Sequence, residues 1–195
     1  MLKIGLTGNI GSGKTTVSKV FEILGIPVFY ADEEAKKTMV NDAVLIKDIK
    51  AAFGEESYFN DGTLNRKHIA SIVFNNQEKL AKLNSLVHPA TFRAFDAWLG
   101  KIKNVPYVLK EAALLFESDS YKMCNHTIMV QAPLETRIKR VMQRDHLSRE
   151  EIESRNANQF PEDKKTQLAD YIIKNDDQQL VIPQVLKLHN LFLSL

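Results

Sequence analysis

The sequence predicts an α/β fold in which a parallel sheet is interrupted by a long helical insertion and later carries a helical hairpin. Three observations support this. The chain opens "KIGLTGNIGSGKTTVSKVFEILG" followed by "IPVFY", an apolar run, a glycine cluster, an amphipathic stretch and a second apolar run. Strand, helix and strand in that order make a βαβ unit, from which parallel sheets are built. Residues 32–103 then carry helical periodicity over more chain than a plain crossover needs, and strand character returns in "VPYVLKEA", "HTIMVQA" and "DYIIKN".

Each element has its own local signal. Leu2–Thr7 reads as a short buried strand. After the glycines, Val17, Val20, Phe21 and Leu24 fall at helical spacing, and Gly25 sits where a helix C-terminus wants glycine. Within the insertion, "EEAKKTM", "AVLIKDIKAAF", "NRKHIASIVF" and "PATFRAFDAWLGKIK" are expected helices, with "NDGT" as a turn. Pro89 suits a first helical position, so the last of these is expected to start there, with His88 just outside it. The aromatic stripe of "FRAFDAWL" reads as packing. Leu134–Asp145 is helical, "DHL" turns the chain, and Ser148 to Glu151 has the form of a capping box that opens another helix. A final apolar helix runs to Leu195, with Pro183 near its start. The expected division is a core of residues 1–31, 104–136 and 166–195, an insertion of 32–103 and a hairpin of 137–165.

Composition bounds the function. A chain of 195 residues, 44% hydrophobic and 26% charged, can bury a core without staples. A net charge of +2 argues against a nucleic-acid partner or a polybasic membrane anchor. No apolar run approaches the ~20 residues of a membrane span, and "IGLTG" is too short for a signal peptide. A single cysteine, Cys124, rules out an internal disulfide and reads as a small hydrophobe. A cytoplasmic protein with no obligatory protein partner is the expectation. His68, His126, His146 and His189 show no metal-ligand spacing.

The glycine cluster carries the chemistry. Gly8, Asn9, Ile10, Gly11, Ser12, Gly13, Lys14 and Thr15 spell G-x-x-x-x-G-K-T, the phosphate-binding P-loop pattern, between an expected strand and an expected helix. Glycines allow successive N–H groups to turn inward as a nest for phosphate oxygens, and the following helix adds its positive end. Lys14 would reach the β- and γ-phosphates of ATP, the Thr15 hydroxyl would ligate Mg²⁺, and Thr16 would meet the α-phosphate. A guanine-reading N-K-x-D element and a switch-type D-x-x-G after the third strand are both missing, which argues against a GTPase. The third strand ends in Glu111, either a polar terminus or a carboxylate near the metal's waters.

A small-molecule kinase needs an acceptor-orienting group and a cationic cover. Asp32 follows the second strand, where open α/β sheets bind ligands. It reads equally as an acceptor-orienting carboxylate and as the N-cap of "ADEEAKK". Arg137, Arg140 and Arg144 share one helix face, with Arg149 and Arg155 on the next helix. They form either a phosphate-binding cluster or a solvated face paired with Glu135, Asp145 and Glu150. Asn175 after "YIIK" caps the last helix or helps hold adenine.

The ordered set of motifs resembles the dephospho-coenzyme A kinase family along nearly the whole chain. The likeness lies in "IGLTGNIGSGKTTV", "VFYADEEA", "FGEESYFNDGTLNRKHIASIVF", "LVHPATF", "EAALLFES", "TRIKRVMQRD", "SRNANQ" and "ADYIIKND". It implies a P-loop fold with a five-stranded parallel sheet, a helical acceptor domain and a helical lid. It implies ATP-dependent phosphorylation of the ribose 3′-hydroxyl of dephospho-coenzyme A, with Mg²⁺. Lys14, Asp32 and Arg140 take the catalytic positions of this resemblance, Arg144 and Asn175 join the P-loop around the nucleotide, and His88, Glu117 and Arg155 fall on acceptor positions. Gln159 matches a further family position. Tyr30, Asn65 and Ala113 depart from the pattern, which has aspartate, aspartate and proline there. A kinase for another nucleotide or nucleoside, or a switch module that only holds ATP, would use the same loop.

Overall fold

A computed structural model describes residues 1–74 and 76–195. In chain order the elements are β1 (Leu2–Thr7), α1 (Lys14–Ile23), β2 (Val28–Tyr30), α2 (Ala31–Asn41), α3 (Ala43–Phe53), α4 (Arg66–Val73), α5 (Gln77–Leu99), β3 (Tyr107–Glu111), β4 (His126–Gln131), α6 (Leu134–Asp145), α7 (Arg149–Ala157), α8 (Glu162–Leu168), β5 (Tyr171–Lys174) and α9 (Val181–Leu193). They fall into two compact units, one of Met1–Tyr30 with Lys103–Leu195, the other of Ala31–Ile102.

The first unit holds one five-stranded sheet in the order β2-β3-β1-β4-β5, with every pair parallel. Alternation along the strands sends Ile4, Leu6, Tyr107, Leu109, Ile128, Val130 and Ile173 into one cluster with Val17 and Phe21 of α1 and Val185, Leu188 and Phe192 of α9. The register aligns Leu6 and Tyr30 with Glu111, so the P-loop and the Glu111 side chain leave the same carboxyl edge of the sheet. Thr127 is tied to the start of β5 by its N–H and hydroxyl, which both donate to Asp170 at 2.7 and 2.8 Å. A smaller cluster of Ile138, Val141 and Ile152, with Ile10 and Leu147 against it, joins α6, α7 and the P-loop.

The second unit is helical, with its own core of Leu45, Ile49, Phe53, Tyr58, Ile69, Leu83, Val87 and Ala90. Asp42 caps α3 by accepting from the Leu45 N–H at 2.9 Å, and Asn65 and Asn76 cap α4 and α5 in the same way.

Two local expectations fail here. Pro89 does not open a helix; it lies inside α5, which starts at Gln77. Leu83 and Val87 before the proline and Ala90 after it are all held in the core of this unit, and that burial outweighs the missing N–H. Asp32 is not an N-cap either. α2 starts one residue earlier, at Ala31, so Asp32 lies in the first turn with Glu33 and Glu34, where acids still complement the helix dipole. One element, α8, had no counterpart in the sequence reading, although Pro161 followed by Glu162 and Asp163 is a helix-start signal.

Candidate active site

The P-loop closes over the amino end of α1 with Gly11 at φ +80° and Gly13 at φ +93°, angles that side chains resist. A Cβ at Gly11 would run into the carbonyl of Arg137, and one at Gly13 into the Asn175 amide. The N-cap of α1 is Gly13, which has no side chain to cap it, and no acid occupies the first turn, so the amino end of the helix suits an anion. The Lys14 ammonium donates to the Gly8 carbonyl at 3.1 Å and stands 3.9 Å from the Glu111 carboxylate, both side chains being largely buried.

A cleft of about 200 Å³ is lined by Gly11, Gly13, Lys14, Thr15, Thr16, Arg140, Val141 and Arg144. The fold therefore brings together the loop, both of its threonines and two of the arginines singled out in the sequence. Arg140 donates to the Asn175 carbonyl at 3.0 Å and pairs with Asp177, yet its Nη1 is buried with no partner among the described residues. A buried guanidinium nitrogen left open beside a nest of N–H groups suits an anionic ligand. Arg144 forms a bidentate pair with Asp145, both bonds at 2.8 Å, which holds the Asp145 carboxyl below its usual range.

The remaining arginines separate. Arg149 is taken by Glu135, at 2.9 and 2.6 Å, and by Glu153 at 2.7 Å, so it belongs to a solvated face. Arg155 stands exposed on α7. Arg137, only 4% exposed, turns into the protein instead of the cleft. Its Nε donates to the Ala132 carbonyl at 3.0 Å and its Nη1 to Asn156 at 2.7 Å and to the Ile10 carbonyl at 3.3 Å, with Glu162 3.3 Å from Nε.

Asn175 does not cap the last helix, which begins at Val181 after Leu180. Its amide donates to the Ser12 carbonyl at 2.8 Å and its own N–H to Gln131 at 2.8 Å, so it ties β4 and β5 to the P-loop. Gln159 accepts from the Ile10 N–H at 2.8 Å, and Asn9 donates to the Phe160 carbonyl at 3.1 Å. Glu117 accepts from the Phe160 N–H at 2.7 Å and pairs at 2.9 Å with Lys165, which is fully buried. Burial pushes the Lys165 ammonium down and Glu117 counters it. The second Glu117 oxygen is buried without a partner among the described residues. Lys165, Glu162 and Asn156 were not singled out in the sequence; no local spacing marks them, and their roles come from partners distant in the chain, Lys165 being buried and the other two half-buried.

In the helical unit, Asp32 is exposed and His88 half-buried, with the His88 ring stacked on Phe92 at 6.4 Å. Among the described residues no cluster of three or more histidines, cysteines or carboxylates could enclose a metal. The Thr15 hydroxyl in the cleft and the Glu111 carboxylate near Lys14 are hard oxygen donors of the kind that fit Mg²⁺, which keeps waters and phosphate oxygens for its other positions.

A parallel sheet with a glycine nest at its carboxyl edge, a lysine beside the nest and arginines over it defines a P-loop kinase fold. Shikimate kinase from Bacteroides thetaiotaomicron shares that fold at a TM-score of 0.53 and 16% identity, with 100% of this chain and 99% of that one covered. The profile of the dephospho-CoA kinase family matches residues 2–180, and the chain belongs to that family. It is 36% identical over 187 residues to a dephospho-CoA kinase of Bacteroides fragilis, covering 96% of this chain and 91% of the relative. It is 41% identical over 181 residues to one of Chlorobium chlorochromatii, covering 90% and 85%. Among solved structures it resembles TT1252 from Thermus thermophilus, at a TM-score of 0.85 and 35% identity, with 97% of this chain and 96% of that one covered.

Proposed function

We propose that the chain transfers the terminal phosphoryl group of ATP to the ribose 3′-hydroxyl of dephospho-coenzyme A, giving coenzyme A and ADP. The observation that carries this is the glycine loop at the amino end of α1, with Lys14 in it and the buried Arg140 Nη1, which has no partner among the described residues, lining the same cleft, in a chain of the dephospho-CoA kinase family. The loop Gly8–Thr16 holds the phosphates through its inward N–H groups, those of Ile10 and Ser12 being engaged by Gln159 and Asn9, and Lys14, Arg140 and Arg144 neutralise charge that spreads over the moving group. Asn175 holds the loop from behind and borders the base. Thr15 and Glu111 would hold Mg²⁺, directly or through water, and the ion supplies charge neutralisation at the phosphate oxygens.

Asp32 orients the acceptor hydroxyl or takes its proton. His88, Arg155 and the open oxygen of Glu117 contact the acceptor. Residues 32–103 serve as the acceptor domain and 137–165 as the lid. A cytoplasmic location, where a lone thiol such as Cys124 stays reduced, belongs to the same reading.

An acceptor panel tests it: ADP release is followed with dephospho-coenzyme A, nucleoside monophosphates, nucleosides and shikimate. Turnover confined to dephospho-coenzyme A is the expected result. Equal or faster turnover with another acceptor would reassign the substrate, and nucleotide binding without acceptor-dependent turnover would leave only a switch module.

A further inference from the structure

The backbone at Ile10 and Gly11 is fastened at three points, of which the Ile10 carbonyl contact bears on the peptide between them. The Ile10 N–H donates to Gln159 at 2.8 Å, the Ile10 carbonyl accepts from Arg137 at 3.3 Å, and the Gly11 backbone lies so close to the Arg137 carbonyl that no Cβ fits between them. A trans peptide is planar, so its C=O and the following N–H point in opposite directions. Holding the Ile10 carbonyl outward on a guanidinium therefore aims the Gly11 N–H the other way, into the loop. The same device recurs two residues on, where Asn175 holds the Ser12 carbonyl at 2.8 Å and so sets the direction of the Gly13 N–H.

We infer that Arg137 is a positioning residue for nucleotide binding, one that aims the P-loop amides at the phosphates without touching them. Its own geometry is over-determined. The side chain is anchored to Ala132 in the turn before α6 and to Asn156 on α7, and Glu162 at the start of α8 lies beside it. Burial pulls the guanidinium down in pKa and Glu162 opposes that, while arginine stays charged in either case. A single cation thus links the phosphate loop to three segments of the arginine-bearing region. Lysine, with one point donor on a flexible stem, cannot make these contacts together.

This inference rests on the reading that the loop binds a nucleotide, and its test separates the two. Equilibrium binding of adenosine, AMP and ADP would be measured by calorimetry on the wild type, Arg137→Lys and Arg137→Met, with thermal melting as the check on folding. The expected result is a loss that grows with phosphate number: adenosine unchanged, and ADP weakened about tenfold or more in Arg137→Met and by less in Arg137→Lys. In steady state the KM for ATP should rise while the KM for the acceptor stays put. Glu162→Gln, which leaves the donors of Arg137 in place, should bind ADP within about twofold of the wild type. Folded variants that bind ADP as the wild type does, or that lose adenosine and ADP equally, would overturn the inference. So would a loss of folding in both Arg137 variants, which would make the guanidinium a packing element. A wild type that binds no adenine nucleotide would instead overturn the functional reading.

Discussion

In the proposed mechanism Lys14 and Asp32 serve different steps, and single substitutions should separate them. Lys14 lies against the nest, so Lys14→Ala should lower turnover by ~10²-fold or more and weaken ATP as well. Asp32→Asn should leave ATP affinity intact and lower kcat. Steady-state kinetics beside calorimetry distinguishes the two, and full turnover in the asparagine variant would remove Asp32 from the chemistry. Cys124 offers a check on burial alone. Burial pushes its thiol up to about 11. At pH 8 about one thiol in a thousand is then ionised, against about a quarter for an ordinary cysteine. Alkylation of the native protein should accordingly run roughly a hundredfold slower than that of the urea-unfolded chain.

Among the elements, α5 runs through a residue that normally stops helices. Pro89 has no N–H to give the Ser85 carbonyl, and both residues are exposed. Pro89→Ala should stabilise the protein by about 1 kcal/mol or more, read as a rise in the denaturation midpoint. If the His-Pro pair serves acceptor binding, the same variant should lose affinity for dephospho-coenzyme A while gaining stability. The cap of α3 makes a pH-dependent contribution. The Leu45 N–H, and after it Arg93, hold the Asp42 carboxyl below its ordinary value. A lowered carboxylate pKa adds stability that is present above the unfolded value near 4 and is lost as pH falls through the folded value. Asp42→Ala should therefore cost about 1 kcal/mol at pH 7 and progressively less as the pH falls below about 4, as denaturant titrations across that range would show.

At the level of the whole molecule, two units with separate cores are joined by chain passing at Tyr30 and Lys103. The proposed nucleotide-binding elements all lie in the first unit. ADP at a hundred times its Kd adds about 2.7 kcal/mol to the state that binds it. Hydrogen exchange should accordingly slow in the P-loop, α1 and α6 on adding ADP, while amides of α3 keep their rates. Dephospho-coenzyme A should slow exchange in the helical unit, where Asp32 and His88 lie. Equal slowing of α3 by ADP alone would mean that the two units respond as one.

By itself the sequence determined what depends on neighbours within a few residues. The G-x-x-x-x-G-K-T loop between strand and helix, the bounds of α3 and α6, and the capping box of Ser148 and Glu151 were all legible, because each is set by local spacing and backbone geometry. The P-loop candidates were legible for the same reason, whereas the nucleotide roles of Arg144 and Asn175 came from the family resemblance. Only the tertiary structure decided which of three arginines on one face turns inward, that Glu117 meets a buried lysine, and that Asn175 holds the Ser12 carbonyl 163 residues away in sequence. Spacing places side chains on a face, but the partner on that face comes from a distant part of the chain. It is the cost of burying a charge or an amide unpaired that selects the partner.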